Sequence, residues 1–529
     1  GIAGVYFIED TPSLFKALNP LESVMLALLE RDGRGQQQCD LIQGRGSEPG
    51  QSSYARVQRA VDQGSCKEGK RESERGTDKE REEPGEKTGT VGPDIARECQ
   101  SLAQRLAVQR GFWQPVERVV FIGNGFAERD TYYGRLETEL QLRFPEQNLI
   151  VRNMGRPGDT PGFRPHPSRT SQWAFPGAEK FRPENAIHNG KGFFPMPDEW
   201  LAYLKADTIV AFFGYNESFD GAGRVTNYQD ELEAFVQHTL SKAYNGQAAP
   251  RLVLVSPIAY QDLSAKNDLP NGQKENAALA LYSAAMETVA KKHGLTFIDL
   301  FTPTKALYAQ AKQPLTTAGF IPNDTGYQQL AGLLANGLYG PQAVQSKADP
   351  AKVHAAVKDK DWFWNNDYNI LNGVHTHGQR YNPFGPQNYP DEVRKLREMA
   401  ALRDGLIHAV ATGQTSSLKV DDSKTHPLPP VPTNYQPSNK NNPMEYLYGK
   451  DAEKSLTVPG GYKVELFASE KEFPNLANPM QLSFDDKGRL WVAVMPTYPH
   501  YRPGDPLPDD KLLIYEDTNG DGKADKEIV

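Results

Sequence analysis

Apolar and polar residues alternate in blocks between about residues 116 and 340. Short apolar runs rich in β-branched residues predict five buried strands, because each run gives way to turn-forming residues after a few positions. The five runs are VERVVFIGN, NLIVRNMG, DTIVAFFGYNES, RLVLVSPIA and TFIDL. Apolar residues at helical spacing predict helices in TYYGRLETELQLRF, DELEAFVQHTLSKAY, ENAALALYSAAMETVAKKHG and TGYQQLAGLLANGLYG.

This alternation of strand and helix predicts an α/β fold in which helices cover both faces of a parallel sheet. Right-handed crossovers then give a doubly wound, flavodoxin-like three-layer sandwich. An insertion from about Pro161 to Asp198 follows the second strand and is rich in Pro, Gly, His and aromatic residues. Because ligands bind at the carboxyl edge of the sheet in this fold class, we expect the insertion to lie over that edge.

The segments on either side of this block have a different character. Residues 1–112 contain the run KEGKRESERGTDKEREEPGEK, whose high charge predicts a disordered or unrelated N-terminal segment. Residues 343–415 have a helical pattern and include DWFWNNDY, whose aromatics we interpret as packing residues rather than a sugar platform. Residues 416–452 are rich in Pro, Asn and Ser and predict a linker. Short strands separated by turns predict an all-β domain that begins at about residue 453 and continues to residue 529.

Composition narrows the classes of partner. The net charge of −8 gives no electrostatic reason to expect nucleic acid or an anionic membrane as the main partner. No apolar run approaches the roughly 18–20 residues that a membrane helix needs. The spacing of Cys39, Cys66 and Cys99 fits no zinc or CxxC pattern, so we expect unpaired thiols. The chain begins at Gly1 without a charged-then-apolar leader, so no export signal can be read from these residues.

Blocks of glycine and polar residues follow three predicted strands and precede the last helix. They are GNG at 123–125, the glycine of RNMG at 155, GYNE at 214–217 and AGFIPNDTGY at 318–327. Over roughly 220 residues, their order resembles the SGNH, or GDSL-type, hydrolases. The resemblance implies an SGNH hydrolase-like domain over residues 113–342, with Gly155 and Asn216 as oxyanion donors.

The departures from the family pattern fall on the reactive positions. Gly125 stands where the family has its nucleophilic serine, and Ile321 stands where it has its histidine. Thr317 and Ala318 occupy the region of the partner carboxylate. Because a nucleophile and its base have to be present together, these residues predict a pseudoenzyme without serine ester hydrolysis.

Three functions stay open. In the first, Gly155 and Asn216 bind a carbohydrate or similar polar molecule, with Asn124, Glu128 and Glu217 as further ligand-binding candidates. In the second, Glu128 and Glu217 form a rearranged acid/base pair of an active carbohydrate-ester hydrolase, although an ion-paired structural cluster is the favoured interpretation of these residues. In the third, the domain is a structural spacer.

A wider resemblance extends over about residues 115–529. GNGFAERDTYYGRLETEL, FFGYNESF and LFASEKEFPNLANPMQLSFDDKGRLWVAVMPTYPHY resemble the multidomain PVC-type haem-binding or membrane-bound dehydrogenase-like proteins of planctomycetes. The resemblance implies that the all-β segment begins a β-propeller and that the protein is exported to the periplasm or cell envelope. The family's c-type cytochrome motif, CxxCH, is not present in these residues, so haem is not encoded here.

Two short motifs raise the question of a metal. Asp517, Asn519, Asp521, Lys523 and Asp525 form a DxNxDGxxD segment that resembles a calcium loop, and a plain turn between strands is an equally good interpretation. The pair of histidines in GVHTHG, at 375 and 377, has no third ligand nearby in the sequence. For that pair a surface loop near aromatics is favoured over a metal site.

Overall fold

The computed structural model describes residues 116–185, 190–265, 267–370, 373–383, 385–430, 447–498 and 501–529, together with the strand pairing of residues 2–3 and 5–10. The charged N-terminal run and all three cysteines lie outside these ranges, as does much of the predicted linker. The chain divides into two compact units. One comprises Gly111–Gln436 with Thr497–Leu507, and the other comprises Gly1–Arg110, Pro437–Pro496 and Pro508–Val529.

The strands of the described residues are, in chain order, β1 (Ile2–Ala3), β2 (Val5–Asp10), β3 (Arg118–Gly123), β4 (Ile150–Asn153), β5 (Thr208–Phe212), β6 (Arg251–Val255), β7 (Thr296–Ile298), β8 (Leu447–Tyr448), β9 (Tyr462–Ala468), β10 (Pro479–Phe484), β11 (Leu490–Val494), β12 (Lys511–Glu516) and β13 (Lys526–Ile528).

The helices of the described residues are α1 (Gly125–Tyr133), α2 (Arg135–Arg143), α3 (Pro197–Leu204), α4 (Tyr215–Ser218), α5 (Val225–Leu240), α6 (Gln273–His293), α7 (Phe301–Gln310), α8 (Asp324–Tyr339), α9 (Pro350–Tyr368), α10 (Gly373–Thr376), α11 (Gly385–Ala411) and α12 (Lys450–Ser455). Short 3-10 turns occur at Pro145–Gln147, Ala178–Phe181, Ala222–Arg224 and Asp422–Lys424. No helix in the described part of the chain combines the length and the apolar character needed to cross a membrane.

The five predicted strands form one parallel sheet in the order β4-β3-β5-β6-β7. Alternate side chains of β3 point to opposite faces of the sheet, as successive side chains of any strand do. Val120 and Ile122 join the core on one face, and Val119 and Phe121 join the core on the other. Helices therefore cover both faces, and the predicted α/β sandwich is confirmed.

The predicted helix over TYYGRLETELQLRF is two helices, α1 and α2. Gly134 separates them in a left-handed conformation with φ 66°, and its N–H donates to the carbonyl of Asp130. A glycine in this conformation is a common way to end a helix, because it has no Cβ to clash.

The helical segment after the sheet packs in the same compact unit as the sheet. Lys360 of α9 is fully buried, and its Nζ donates to the carboxylates of Glu137 in α2 and Asp361. The same Nζ lies 3.2 Å from the carbonyl oxygen of Val151 in β4. This buried ion cluster joins α9 to both the sheet and α2.

The second unit contains an antiparallel sheet in the order β10-β11-β12-β13. Leu490, Val492 and Leu513 are buried in a small core on one face of this sheet. Strand β9 pairs antiparallel with β2, and β8 pairs parallel with β1. The predicted all-β domain is confirmed at this level, and its assignment to a β-propeller stays a prediction.

Candidate functional site

The carboxyl end of β3 is where the family carries its nucleophile. Gly123 has φ 132°, and a Cβ at this position would stand 2.1 Å from the carbonyl oxygen of Phe212 in β5. Asn124 follows as the N-cap of α1, and its Oδ1 accepts the N–H of Phe126 at 3.1 Å. The side chain of Asn124 is buried, so its role in the structure is to cap the helix.

Gly125, the first residue of α1, faces Ile321. A Cβ built on Gly125 would lie 3.3 Å from Cδ1 of Ile321, so the residues at the serine and histidine positions are packed against each other. Beside them, the rings of Phe320 and Tyr215 stack at 4.9 Å with an interplanar angle of 10°. A cavity of about 20 Å³ lies beside these rings and is lined by Asn124, Tyr215 and Ile321 among others. It is large enough for a single water molecule.

Gly155 follows β4 and packs against the first turn of α1. Its N–H donates to Oδ1 of Asn153 at 2.9 Å, and a Cβ at residue 155 would stand 2.5 Å from the amide nitrogen of Glu128. The glycine is therefore required for close packing. Its amide, predicted as an oxyanion donor, already has an acceptor within the chain.

Asn216 in α4 is engaged in the same way. Its Nδ2 donates to the carbonyl oxygens of Pro157 and Asp159, at 2.9 Å each. An amide group has two N–H donors, so both hydrogens of Asn216 are used to hold the loop after β4. Gly155 and Asn216 both follow strands at the carboxyl edge of the sheet, and each donates a hydrogen bond within the chain.

Glu217 lies next in α4 and is fully buried. Its Oε2 accepts the N–H of Gly214 at 2.8 Å. Burial raises the pKa of the Glu217 carboxyl to about 8, with a further increase from the neighbouring Glu231. Arg182, which pairs with Glu231 at 3.1 Å, lowers the pKa of Glu217. At neutral pH Glu217 therefore holds its proton, away from solvent.

Glu128 belongs to a different group of charges. Its carboxylate lies 3.2 Å from Nε of Arg129, and burial raises its pKa while Arg129 and Arg156 lower it. The charges acting on Glu217 are those of Glu231 and Arg182. The two carboxylates predicted as an acid/base pair thus sit in separate clusters. Glu128 is ion-paired with Arg129, whereas Glu217 bonds to the backbone of Gly214.

The loop after β4 and the insertion that follows it contain buried charged residues that were not predicted from the sequence. Asp159 is buried among Arg164, Arg169 and Arg156, and burial raises its pKa to about 7 although all three arginines lower it. The imidazole of His166 stacks on the ring of Phe194 at 3.7 Å. The segment RPGDTPGFRPHPSR could have indicated this buried cluster. Its arginines recur within a short loop that also contains apolar residues, so some of them are buried and not in water.

The two histidines of GVHTHG have different surroundings. His375 is exposed, whereas His377 is buried against the rings of Phe193 and Phe194. Burial lowers the pKa of His377 to about 4, so the ring is neutral at pH 7. The predicted aromatic neighbours are present, and the surface location holds for His375 alone.

The C-terminal DxNxDGxxD segment is a tight loop whose side chains bond to its own backbone. Asp517 accepts the N–H groups of Gly520 and Gly522, and the carboxylate of Asp525 accepts from Thr518. Oδ1 of Asp521 accepts the N–H of Lys523 at 3.0 Å. Among the described residues, no three histidine, cysteine or acidic side chains form a group that could hold a metal ion. Calcium binding by this loop stays a prediction, which calcium titration of the whole chain would test.

Comparison with known families gives two matches. Residues 111–329 match the GDSL-like Lipase/Acylhydrolase family. Residues 449–529 match a domain of unknown function (DUF7133). No curated protein matches the chain.

Several solved structures are similar to part of the chain. A gut microbial diltiazem-metabolizing enzyme is 17% identical with a TM-score of 0.30, and the match covers 43% of this chain and 47% of that one. A catalytic mutant of Axe2, an acetylxylan esterase from Geobacillus stearothermophilus, is 14% identical with a TM-score of 0.30, over 43% of this chain and 97% of that one. LAE5, an alpha/beta hydrolase enzyme from the metagenome of Lake Arreo, is 17% identical with a TM-score of 0.30, over 42% and 96%. The match thus spans about half the length of the first of these proteins, and likenesses at this level carry no inference about activity.

Proposed function

We propose that the GDSL-like lipase/acylhydrolase domain of residues 111–329 no longer hydrolyses esters and instead binds a carbohydrate or similar small polar molecule. The observation that carries the first half is the contact between Ile321 and the position of a Cβ on Gly125, at 3.3 Å. The apolar side chain of Ile321 abuts the nucleophile position, in the place where a histidine would accept a proton. Isoleucine also cannot act as a base, so a serine mechanism has neither its nucleophile at residue 125 nor its base at residue 321.

The state of the donors supports the same conclusion. An oxyanion hole works through N–H groups aimed at the place where negative charge develops. The amides of Gly155 and Asn216 already donate within the chain, to Asn153 and to two loop carbonyls. Freeing the amide of Gly155 for a tetrahedral intermediate would cost a buried hydrogen bond, and freeing that of Asn216 would release the loop that it holds.

The role that we propose for the domain lies within a larger, exported dehydrogenase-like protein. The C-terminal β-domain would carry the oxidative chemistry, and the GDSL-like domain would supply binding without turnover. The sheet, the helices and the buried ion clusters give a rigid frame for such a site.

Hydrolysis is tested on the purified 529-residue chain with 4-nitrophenyl acetate and acetylated xylo-oligosaccharides. We expect no turnover above the buffer rate. Glu217→Gln and Glu128→Gln test the rearranged acid/base pair, with circular dichroism to confirm that each variant is folded. Activity that survives purification and is lost in a folded Glu217→Gln variant would overturn the proposal.

A further inference from the structure

A cavity of about 250 Å³ lies at the opposite edge of the sheet from Gly125. Arg118 and Ile150, the first residues of β3 and β4, line it together with residues of α9 and α11. The strands are parallel, so their amino ends share one edge and the GDSL positions follow their carboxyl ends. The cavity is therefore separate from the position of the family's active site.

Two ion pairs are fixed in the wall of this cavity. Arg152 and Asp404 form a bidentate pair, with one N···O distance of 2.8 Å. Arg397 and Asp367 form a second bidentate pair at 2.8 and 3.2 Å. In each pair the negative charge of the aspartate offsets the positive charge of the arginine, so the four residues together contribute no net charge.

The fifth charged residue of the wall is Arg118. Its guanidinium has no ion-pair or hydrogen-bond partner among the described residues, whereas its backbone N–H donates to Asp207. Arg118 is half-buried at the start of β3. Among the charged side chains that line the cavity, the guanidinium of Arg118 is therefore the one without an ion-pair partner in the described part of the chain, and a single anionic group would complement it.

The remaining wall is apolar and aromatic. Trp364 is almost fully buried, and the guanidinium of Arg152 lies 5.5 Å from the centre of its ring. The guanidinium of Arg397 lies over the ring of Tyr203 at 4.3 Å. These stacked contacts fix the orientation of the charged groups before any ligand arrives. Val120 and Ile150 provide an apolar floor.

From these features we propose that the cavity binds a small hydroxylated monocarboxylate, a sugar acid, with its carboxylate on Arg118. The proposal rests on the binding half of the proposed function and names the place and the chemical class. A carboxylate fits the planar guanidinium of Arg118. The carboxylate oxygens of Asp404 offer acceptors for hydroxyl groups, and the apolar floor suits the C–H face of a sugar ring. The volume lies below the usual range of ligand pockets, about 300–1,000 Å³, which favours a monosaccharide over a longer chain.

The test is calorimetric titration of the whole chain with D-glucuronate and D-galacturonate at pH 7. Glucose serves as the neutral control, acetate as the carboxylate without a ring, and inorganic phosphate as the competing anion. We expect at least one uronate to bind about tenfold or more tightly than glucose and acetate, because the site needs both the charge and the ring. Equal binding of glucose, or tighter binding of phosphate, would overturn the assignment.

Three variants locate the site. Arg118→Met removes the uncompensated charge and leaves both ion pairs in place, and we expect it to weaken uronate binding about tenfold or more. Ala401→Phe places a ring in the cavity from an exposed position on α11 and should abolish binding without altering a charge. Arg380→Met changes an exposed arginine outside the cavity wall and should leave the affinity unchanged.

The two proposals fail in different ways. A folded chain that neither hydrolyses esters nor binds a uronate overturns the sugar-acid site and leaves the loss of hydrolysis standing. A chain that hydrolyses esters and also binds a uronate in an Arg118-dependent manner overturns the loss of hydrolysis and leaves the sugar-acid site standing. Unchanged affinity in Arg118→Met, despite binding in the parent chain, would place the ligand elsewhere and overturn the inference.

Discussion

Ile321 packs on Gly125, with its Cδ1 atom 3.3 Å from the place where a side chain at residue 125 would begin. The residues at the two reactive positions are therefore direct neighbours in space. Residue 125 has no side chain, and Ile321 lies in the space beside it.

Gly125→Ser alone should leave the protein folded and inactive. The new Cβ would be tight against Ile321, and a shift of a few tenths of an ångström in a flexible side chain relieves it. We therefore expect a change in unfolding free energy within about 1 kcal/mol. Urea unfolding and the 4-nitrophenyl acetate assay measure both effects. Hydrolysis by this single variant would contradict the need for a base at residue 321.

The matched variant adds the base. In Gly125→Ser/Ile321→His, an imidazole stands where the family has one, so the introduced hydroxyl has a group to accept its proton. We expect faster labelling by a fluorophosphonate probe in the double variant than in either single variant, because that variant alone has both the hydroxyl and the base. Equal labelling of Gly125→Ser and the double variant would show that the residue at 321 has no part in activation.

Gly123 should tolerate no side chain. A Cβ there would stand 2.1 Å from a backbone oxygen of the neighbouring strand, and φ is 132°. Gly123→Ala should therefore destabilise the chain by about 3 kcal/mol or more, or prevent soluble expression. Gly223→Ala is the matched control, because a Cβ at residue 223 meets nothing within 4 Å. Soluble yield and urea unfolding compare the two, and similar stabilities would contradict this account.

The large features of the fold follow from sequence patterns. Val119 to Ile122 are all apolar and all buried, as a strand covered on both faces requires. The helix Phe301–Gln310 was not predicted, since it has Pro303 in its first turn and buries few residues. Proline is acceptable in a first turn, but in a sequence it reads as a break.

The state of the site could be predicted only in part. The glycine at 125 and the isoleucine at 321 can be read from the sequence, because the order of the motifs points to both positions. The hydrogen bonds of Gly155 and Asn216 are not, because their acceptors are set by how the loop after β4 folds back. The cavity beside Arg118 is lined by residues that lie between positions 118 and 404. Local sequence patterns cannot predict that residues so far apart in the chain meet.

Glu217 should make the stability of the domain depend on pH. Its folded-state pKa of about 8 lies above the ordinary value of 4.5, so the folded chain keeps a proton that the unfolded chain releases. The contribution is complete below pH 4.5 and is lost as the pH rises towards 8. Glu217→Gln cannot ionise. Relative to the parent chain it should gain up to about 4 kcal/mol in unfolding free energy between pH 5 and pH 8.5.

Urea unfolding of both proteins at the two pH values checks this prediction. Asp130 and Asp159 also have raised pKa values, about 8 and about 7, but both proteins contain them, so their effects cancel in the comparison. Glu179→Gln is the control, because that side chain is exposed. A constant difference between Glu217→Gln and the parent chain at both pH values would show that Glu217 is ionised in the fold.

Lys360 should be essential for the docking of α9 on the sheet. It is fully buried, and its ammonium is shared between Glu137 and Asp361. Lys360→Met leaves these buried carboxylates without their cation, which we expect to cost about 3–5 kcal/mol. Lys358→Met, an exposed neighbour on the same helix, should change the stability by less than about 0.5 kcal/mol. Denaturant unfolding separates the two outcomes. Equal stabilities would mean that the cluster is replaceable by apolar packing, and that α9 is held by its hydrophobic face alone.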